Sequence, residues 1–304
     1  MKRRTLLKTA LALPMVQPMA AASATARTAE NPARPPNALF SGLEGLDYTL
    51  EGIAPASLIG MAGPTCTGKT MLLLKLAARL TIRYGQNVVF YSAHKPSVYL
   101  AKKANLRGDI PFRYLESVSH DDPSAGASSE AALYLIDANG ADPEGGYETA
   151  LRLRRVHPAG CVAFILDGWS SQPKGPEDDI EFIGEVPHVL SDPWPHSTVI
   201  APQRFRHLRT LVRDRGLPVI FGLTTASLID EEALSATFSL ESAIRCQSDR
   251  WVVLHRPELY RTTEETRPAE RNLVRLTGTG LACPHTRYAE LRYNFSTSSF
   301  ATAT

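Results

Sequence analysis

The chain lacks an excess of charge of either sign. Lysine and arginine number 33 against 31 aspartates and glutamates, a formal net charge of +2 over 304 residues. That balance excludes a polycation, so any contact with nucleic acid must come from a local patch. Cysteine is scarce as well. The four present, Cys66, Cys161, Cys246 and Cys283, lie far apart and form no CxxC pair. Neither a zinc cluster nor a dithiol redox motif is therefore expected, and the four are read as small apolar residues in or near a core. No apolar run is long enough to span a bilayer, so no integral membrane span is expected. No internal repeat is visible. What the chain does have is apolar content, 43% of residues, which is enough to bury a sizeable core.

The first 26 residues stand apart. Met1-Lys2-Arg3-Arg4-Thr5-Leu6-Leu7-Lys8 leads into a mostly apolar stretch, and Ala22-Ser23-Ala24 and Ala24-Thr25-Ala26 have the form that signal peptidases cut. Arg3-Arg4 before Leu6-Leu7-Lys8 resembles a twin-arginine export signal. Pro14, Gln17 and Pro18 interrupt the apolar stretch, and a basic N-terminal tail is the alternative. Cleavage would remove Lys2, Arg3, Arg4 and Lys8 and no acid, leaving a faintly acidic mature domain. Residues 27–40 carry three prolines and few apolar side chains, and read as a linker. The folded domain is expected over residues 41–296, with residues 297–304 as a tail.

Within that domain, strand-like runs alternate with helix-like stretches. Residues 57–62 read as a strand entering a glycine loop. Residues 69–84 have helical spacing, with Leu72, Leu73, Leu76 and Leu80 on one face. NVVFYS (87–92), LYLID (133–137) and CVAFILD (161–167) read as buried strands. A helix over 202–216 is stopped by Gly216, and a strand follows over 218–223. Apolar strands separated by helices imply an α/β fold with a mostly parallel central sheet covered on both faces. Residues 251–254, 272–276 and 288–293 read as strands without helices between them, hence as an antiparallel C-terminal edge. Residues 171–200 are proline-rich and read as a long surface excursion.

One motif carries chemistry on its own. Gly63-Pro64-Thr65-Cys66-Thr67-Gly68-Lys69-Thr70 fits G-x-x-x-x-G-K-[ST] in full, between an apolar strand and an amphipathic helix. The two glycines let the backbone wrap so that successive N–H groups face phosphate oxygens, and the helix N-terminus adds its positive dipole end. Lys69 is placed to neutralise the β- and γ-phosphates, and the Thr70 hydroxyl to ligate Mg²⁺. ATP and Mg²⁺ are the expected ligands. Such a site needs a carboxylate from another strand to hold the metal. CVAFILD ends in Asp167 and LYLID ends in Asp137. Asp167 is favoured because a helix and a further strand follow it, and Asp137 stays open as the alternative.

The stretch Ser41 to Ala77, SGLEGLDYTLEGIAPASLIGMAGPTCTGKTMLLLKLA, resembles the start of the motor domain of DnaB-like replicative helicases of superfamily 4. Ser41-Gly42, Leu46-Asp47, Gly52-Ile53 and Pro55 stand at that family's motif positions before the P-loop. The likeness continues, less specifically, through NVVFYSAHKPS, ALYLIDANG, CVAFILDG, LRTLVRDRGLPVIFGLTT and SDRWVVLHRPELY. The resemblance implies a RecA-like P-loop ATPase that assembles as a homo-oligomeric ring, such as a hexamer, and moves on single-stranded DNA. It also exposes departures. The family's water-activating Glu after the second strand is replaced here, where the sequence runs Ser92-Ala93-His94-Lys95, with His94 at the Glu position. Thr224 and Thr225 stand where the family's sensor strand ends in Gln. Arg275 stands for the Lys of a Lys-x-Arg that reaches a neighbour's γ-phosphate, and the arginine finger itself is missing. Loss of base and finger would spare nucleotide binding and slow hydrolysis. The alternative function is a non-hydrolysing regulatory or exported RecA-fold protein. A cytoplasmic location fits an active ATPase, a periplasmic one a used export signal. The helix from Pro202 carries Arg204, Arg206, His207, Arg209, Arg213 and Arg215, a solvated face that also offers phosphate contacts. Arg256, Arg261 and Arg267 read as a loop of mixed charge with Glu264, Glu265 and Glu270.

Overall fold

The structure, a computed structural model, describes residues 37–64, 66–93, 95–104, 112–114, 130–137, 143–168, 202–224, 248–259, 271–280, 287–294 and 299–302. The elements in chain order are α1 (Glu44–Leu50), β1 (Leu58–Gly63), α2 (Lys69–Tyr84), β2 (Asn87–Ser92), α3 (Ser97–Ala104), β3 (Phe112–Tyr114) and β4 (Leu133–Asp137). There follow α4 (Pro143–Val156), β5 (Cys161–Asp167), α5 (Pro202–Arg215), β6 (Val219–Thr224), β7 (Arg250–His255), β8 (Leu273–Gly280), β9 (Arg287–Asn294) and β10 (Ser299–Thr302). A 3₁₀ turn, Pro257–Leu259, follows β7.

The ten strands of the described residues form one sheet in the order β10-β9-β8-β7-β1-β6-β5-β2-β4-β3. From β7 to β3 every pairing is parallel, and β8, β9 and β10 are antiparallel to their neighbours. The mostly parallel α/β sheet with an antiparallel C-terminal edge thus matches the expectation from sequence, with two differences. β7 is not part of the antiparallel edge: it lies parallel beside β1, so it flanks the P-loop strand directly. The stretch expected as a tail also contributes β10, which pairs with β9.

Burial follows the strand period. β1, β2 and β5 are buried at every position, as central parallel strands with helices on both faces must be. Ile59 and Met61 face one core with the α2 leucines, while Leu58 and Ala62 face the other with Tyr147 of α4 and Phe205 of α5. β9 instead alternates, burying Leu291 and exposing Tyr288, Glu290 and Arg292. Among the described residues no helix is long and apolar enough to cross a membrane.

The residues behind the resemblance at 41–53 prove to be scaffold. The Asp47 carboxylate accepts from the Ser41 and Gly42 main-chain N–H groups and the Ser41 hydroxyl, each at 2.7 Å. Ile53 pairs with Leu39 through two main-chain bonds of 2.8 Å. α1, thus folded back, lays Gly45 against Leu291 and Ala289 of β9 and Thr49 against Gly278 of β8. Its last turn ends at Glu51, which pairs with Arg250 at 2.6 Å and with Arg287.

Candidate functional site

β1, a central strand, delivers the chain to the carboxyl end of the parallel strands, and α2 carries it away. Between them the loop turns through left-handed backbone at Cys66 (φ 63°) and Gly68 (φ 94°). Gly68 meets that demand freely, while Cys66 holds a conformation that costs a non-glycine residue about 1 kcal/mol or more. Gly63 is required for a different reason. A Cβ there would lie 2.7 Å from the Leu254 carbonyl of β7, closer than real contacts allow.

Lys69 opens α2 and turns back into the loop. Its ammonium donates to the Gly63 and Pro64 carbonyls, both at 2.6 Å. Burial lowers its pKa to about 8, against the opposing pull of Asp167 and Cys66. The Thr67 hydroxyl donates to the Pro64 carbonyl at 2.8 Å, closing the loop on itself.

The carboxylate comes from β5, two strands away across β6. Thr70 donates its hydroxyl to Asp167 Oδ1 at 3.0 Å, and Ser92, at the end of β2, approaches Oδ2 at 3.5 Å. The crossing is possible because β6 places Gly222 between them, in register with Met61 and Asp167. A Cβ at Gly222 would meet Leu73 Cδ1 at 2.9 Å and Asp167 Oδ1 at 3.5 Å. Asp167 is buried, and that burial pushes its pKa up to about 6, although Thr70, Lys69, Ser92 and Lys95 all favour the charged form. A hydroxyl and a desolvated carboxylate side by side form an oxygen donor pair suited to Mg²⁺. Among the described residues no three His, Cys, Asp or Glu side chains gather, so further ligands would come from phosphate or water.

The other sequence candidates fall as follows. Asp137 ends β4, in register with Ser92, which is itself in register with Asp167. It therefore stands two strands beyond Asp167, on the side away from the P-loop. Thr65, His94 and Thr225 lie outside the described residues. Thr224 ends β6, in register with Gly63. Arg275 lies on β8 and pairs with Glu290 of β9 at 3.2 Å. On α5, Phe205, Leu208 and Val212 are buried, while Arg206, Arg213 and Arg215 are exposed, as on a solvated helix face.

Arg256 departs from the sequence expectation. It is no loop cation of a mixed surface; it is buried, and it donates to the Cys66 carbonyl at 3.1 Å. Its other η nitrogen pairs with Glu258. The one sequence signal is an arginine directly after the strand RWVVLH, much as Asp167 closes the strand CVAFILD.

No family model matches the chain, and no curated protein matches its sequence. Solved structures do match it. One, solved as an ATPase domain, is 13% identical, with a TM-score of 0.62 over 90% of this chain and 94% of that one. Another, a DnaB-like replicative helicase solved for its interactions with primase, is 14% identical, again with a TM-score of 0.62. The chain has the fold of a DnaB-like helicase ATPase domain. The match to the replicative helicase covers 88% of this chain and 63% of that one, so the DnaB-like fold here spans less than two thirds of the longer protein. At such low identity the agreement rests on the path of the backbone, which is that of a RecA-like ATPase.

Proposed function

We propose that this chain is an ATP-binding, DnaB-helicase-like P-loop ATPase whose hydrolysis is slow. The observation that supports it is the meeting of Lys69, Thr70 and Asp167 at the carboxyl ends of the central strands, 3.0 Å separating the Thr70 hydroxyl from the Asp167 carboxylate. The loop amides and the Lys69 ammonium would hold the phosphates. Thr70 and Asp167 would hold Mg²⁺, which when bound supplies charge neutralisation at the β- and γ-oxygens. Lys69 already sits on two main-chain carbonyls, so a phosphate has to compete for it rather than meet a loose side chain.

Slow hydrolysis follows from what stands after β2. Ser92-Ala93-His94 offers no carboxylate at the position where the family places its water-activating Glu, and Thr277 stands where the family's Lys-x-Arg has its finger. In other P-loop enzymes a finger is worth roughly 10³–10⁵ in rate. Ring assembly and single-stranded DNA as a partner belong to the same proposal, by resemblance to the family. Whether the twin-arginine-like segment is cut would show in the mass of the mature N-terminus, where an intact Met1 excludes signal-peptidase cleavage.

The test is an ATP titration with and without Mg²⁺, paired with turnover with and without single-stranded DNA. Lys69→Ala, which removes the cation and its several charge-assisted contacts of about 1.5–3 kcal/mol each, is expected to weaken ATP binding by about tenfold to a hundredfold or more. Unchanged affinity would refute the P-loop assignment. Turnover is expected well below about 1 s⁻¹, the low end for ordinary enzymes, at every DNA concentration. DNA-stimulated turnover above that range would show the departures to be harmless.

A further inference from the structure

We infer that Arg256 is a positioning residue for the P-loop, through which the antiparallel edge of the sheet sets the direction of a phosphate-facing amide. The inference rests on the proposal that this loop binds a nucleoside triphosphate. Its physical basis is the peptide plane. In a trans peptide the C=O of one residue and the N–H of the next point in opposite directions. A loop that turns its amides inward to an anion must therefore turn carbonyls outward, where they need donors of their own. Cys66 is such a residue, held at φ 63° where a non-glycine residue is strained. Its carbonyl accepts from Arg256 at 3.1 Å, so the Thr67 N–H of the same peptide points away from Arg256.

The guanidinium is itself fixed. Glu258 pairs with it and, through its other oxygen, accepts from the Asn272 N–H at 2.8 Å. Asn272, also in left-handed backbone at φ 60°, accepts from the Tyr293 N–H of β9 at 2.8 Å. The Tyr293 ring packs on Phe300 of β10 with centroids 4.8 Å apart. Phe300 in turn lies 3.5 Å from the place where a Gly68 Cβ would stand. The loop is thus met twice, at Cys66 by Arg256 just after β7, braced from the antiparallel edge, and at Gly68 by Phe300 of that edge itself. An arginine suits this place because its planar fork serves a carbonyl and a carboxylate at once.

The test compares the full chain with Arg256→Gln and Glu258→Gln by ATP·Mg²⁺ titration and by amide hydrogen exchange without nucleotide. Arg256→Gln is expected to weaken ATP·Mg²⁺ binding by about tenfold, the usual worth of a hydrogen bond from a charged donor. It is expected to speed exchange over residues 63–70 and to leave residues 87–92 of β2 unchanged. Glu258→Gln, which keeps the guanidinium but loosens it, should shift both readouts in the same direction by less. Wild-type affinity together with wild-type exchange at 63–70 in Arg256→Gln would overturn the inference. So would exchange that rises equally over 63–70 and 87–92, which marks a general loss of stability. If the unaltered chain bound no ATP, the nucleotide proposal would fall, and the exchange comparison would still decide the role of Arg256. Should Arg256→Gln fail to fold, the same outcomes in Glu258→Gln decide it.

Discussion

The ends of β5 and β4 are alike in sequence and differ in situation. CVAFILD and LYLID are both apolar runs closed by an aspartate, and both strands run parallel to β2, so that they end on the same side of the sheet. Asp167 meets Thr70 at 3.0 Å. Asp137 stands two strands further along, about 10 Å at the usual strand spacing. Nothing local separates the two. The difference is made by strand order, which places β6 alone between β1 and β5 and adds β2 and β4 outside them. A carboxylate's chemistry here is set by which crossover brought its strand to the P-loop.

Substituting each aspartate by asparagine breaks or upholds that comparison. Asp167→Asn is expected to abolish most of the gain in ATP affinity that Mg²⁺ confers, about tenfold or more for a lost charged ligand. Asp137→Asn should leave the gain within about twofold. Equal losses in ATP titrations would mean that strand order does not select the metal carboxylate.

The next effect concerns stability, and its sign is unusual. Asp167 has its pKa raised from an ordinary 3.8 to about 6, chiefly by burial. The folded chain therefore binds this proton more readily than the unfolded one. Its contribution to stability falls as pH rises from about 4 to about 6 and is constant above that. The displacement corresponds to about 3 kcal/mol held against the apo fold at neutral pH. Asp167→Asn should then make the nucleotide-free protein more stable at pH 8, with the difference vanishing near pH 4. Urea melts at the two pH values measure this, and a less stable variant at pH 8 would contradict it. A carboxylate that harms the apo fold and serves a ligand is the expected mark of a binding site.

Much of this was legible from residues alone, and the pattern of what was not is instructive. β1, α2, β2, β4, β5, α5 and β6 were visible because each is an apolar run or an amphipathic repeat closed by its own local signals. Gly85 shows the type: it ends α2 in left-handed backbone and donates to the Thr81 carbonyl. α1 was not visible as a helix, since its start is organised by Asp47 reaching back to Ser41 and Gly42, which a period count does not register. The parallel setting of β7 was not visible either. Its pairing with β1 joins residues some 190 positions apart, and its sequence is as apolar as an antiparallel strand's would be. Arg256 is hidden from the sequence for the same reason, because a cation after a strand reads as a surface residue until the strand is known to lie beside the P-loop. The motif positions at 41–53 supported the resemblance strongly, yet their residues fold α1 and its edge and touch no phosphate loop atom among the bonds described.

The smallest expected effect separates the two aspartates most finely. Ser92 lies between them in register, and its hydroxyl approaches Asp167 Oδ2 at 3.5 Å while accepting from the Lys95 N–H at 3.0 Å. The bond to Asp167 is long, so its worth should be at the low end for a hydrogen bond, about 0.5 kcal/mol. Because it favours the charged carboxylate, Ser92→Ala should move the Asp167 titration further up and carry the pH-dependent loss of stability with it. The same substitution made in Asp167→Asn should show almost none of this pH dependence. Made in Asp137→Asn it should show all of it. Such a pair of cycles asks which neighbour Ser92 serves, and coupling to Asp137 instead would place the functional carboxylate on the other side of β2.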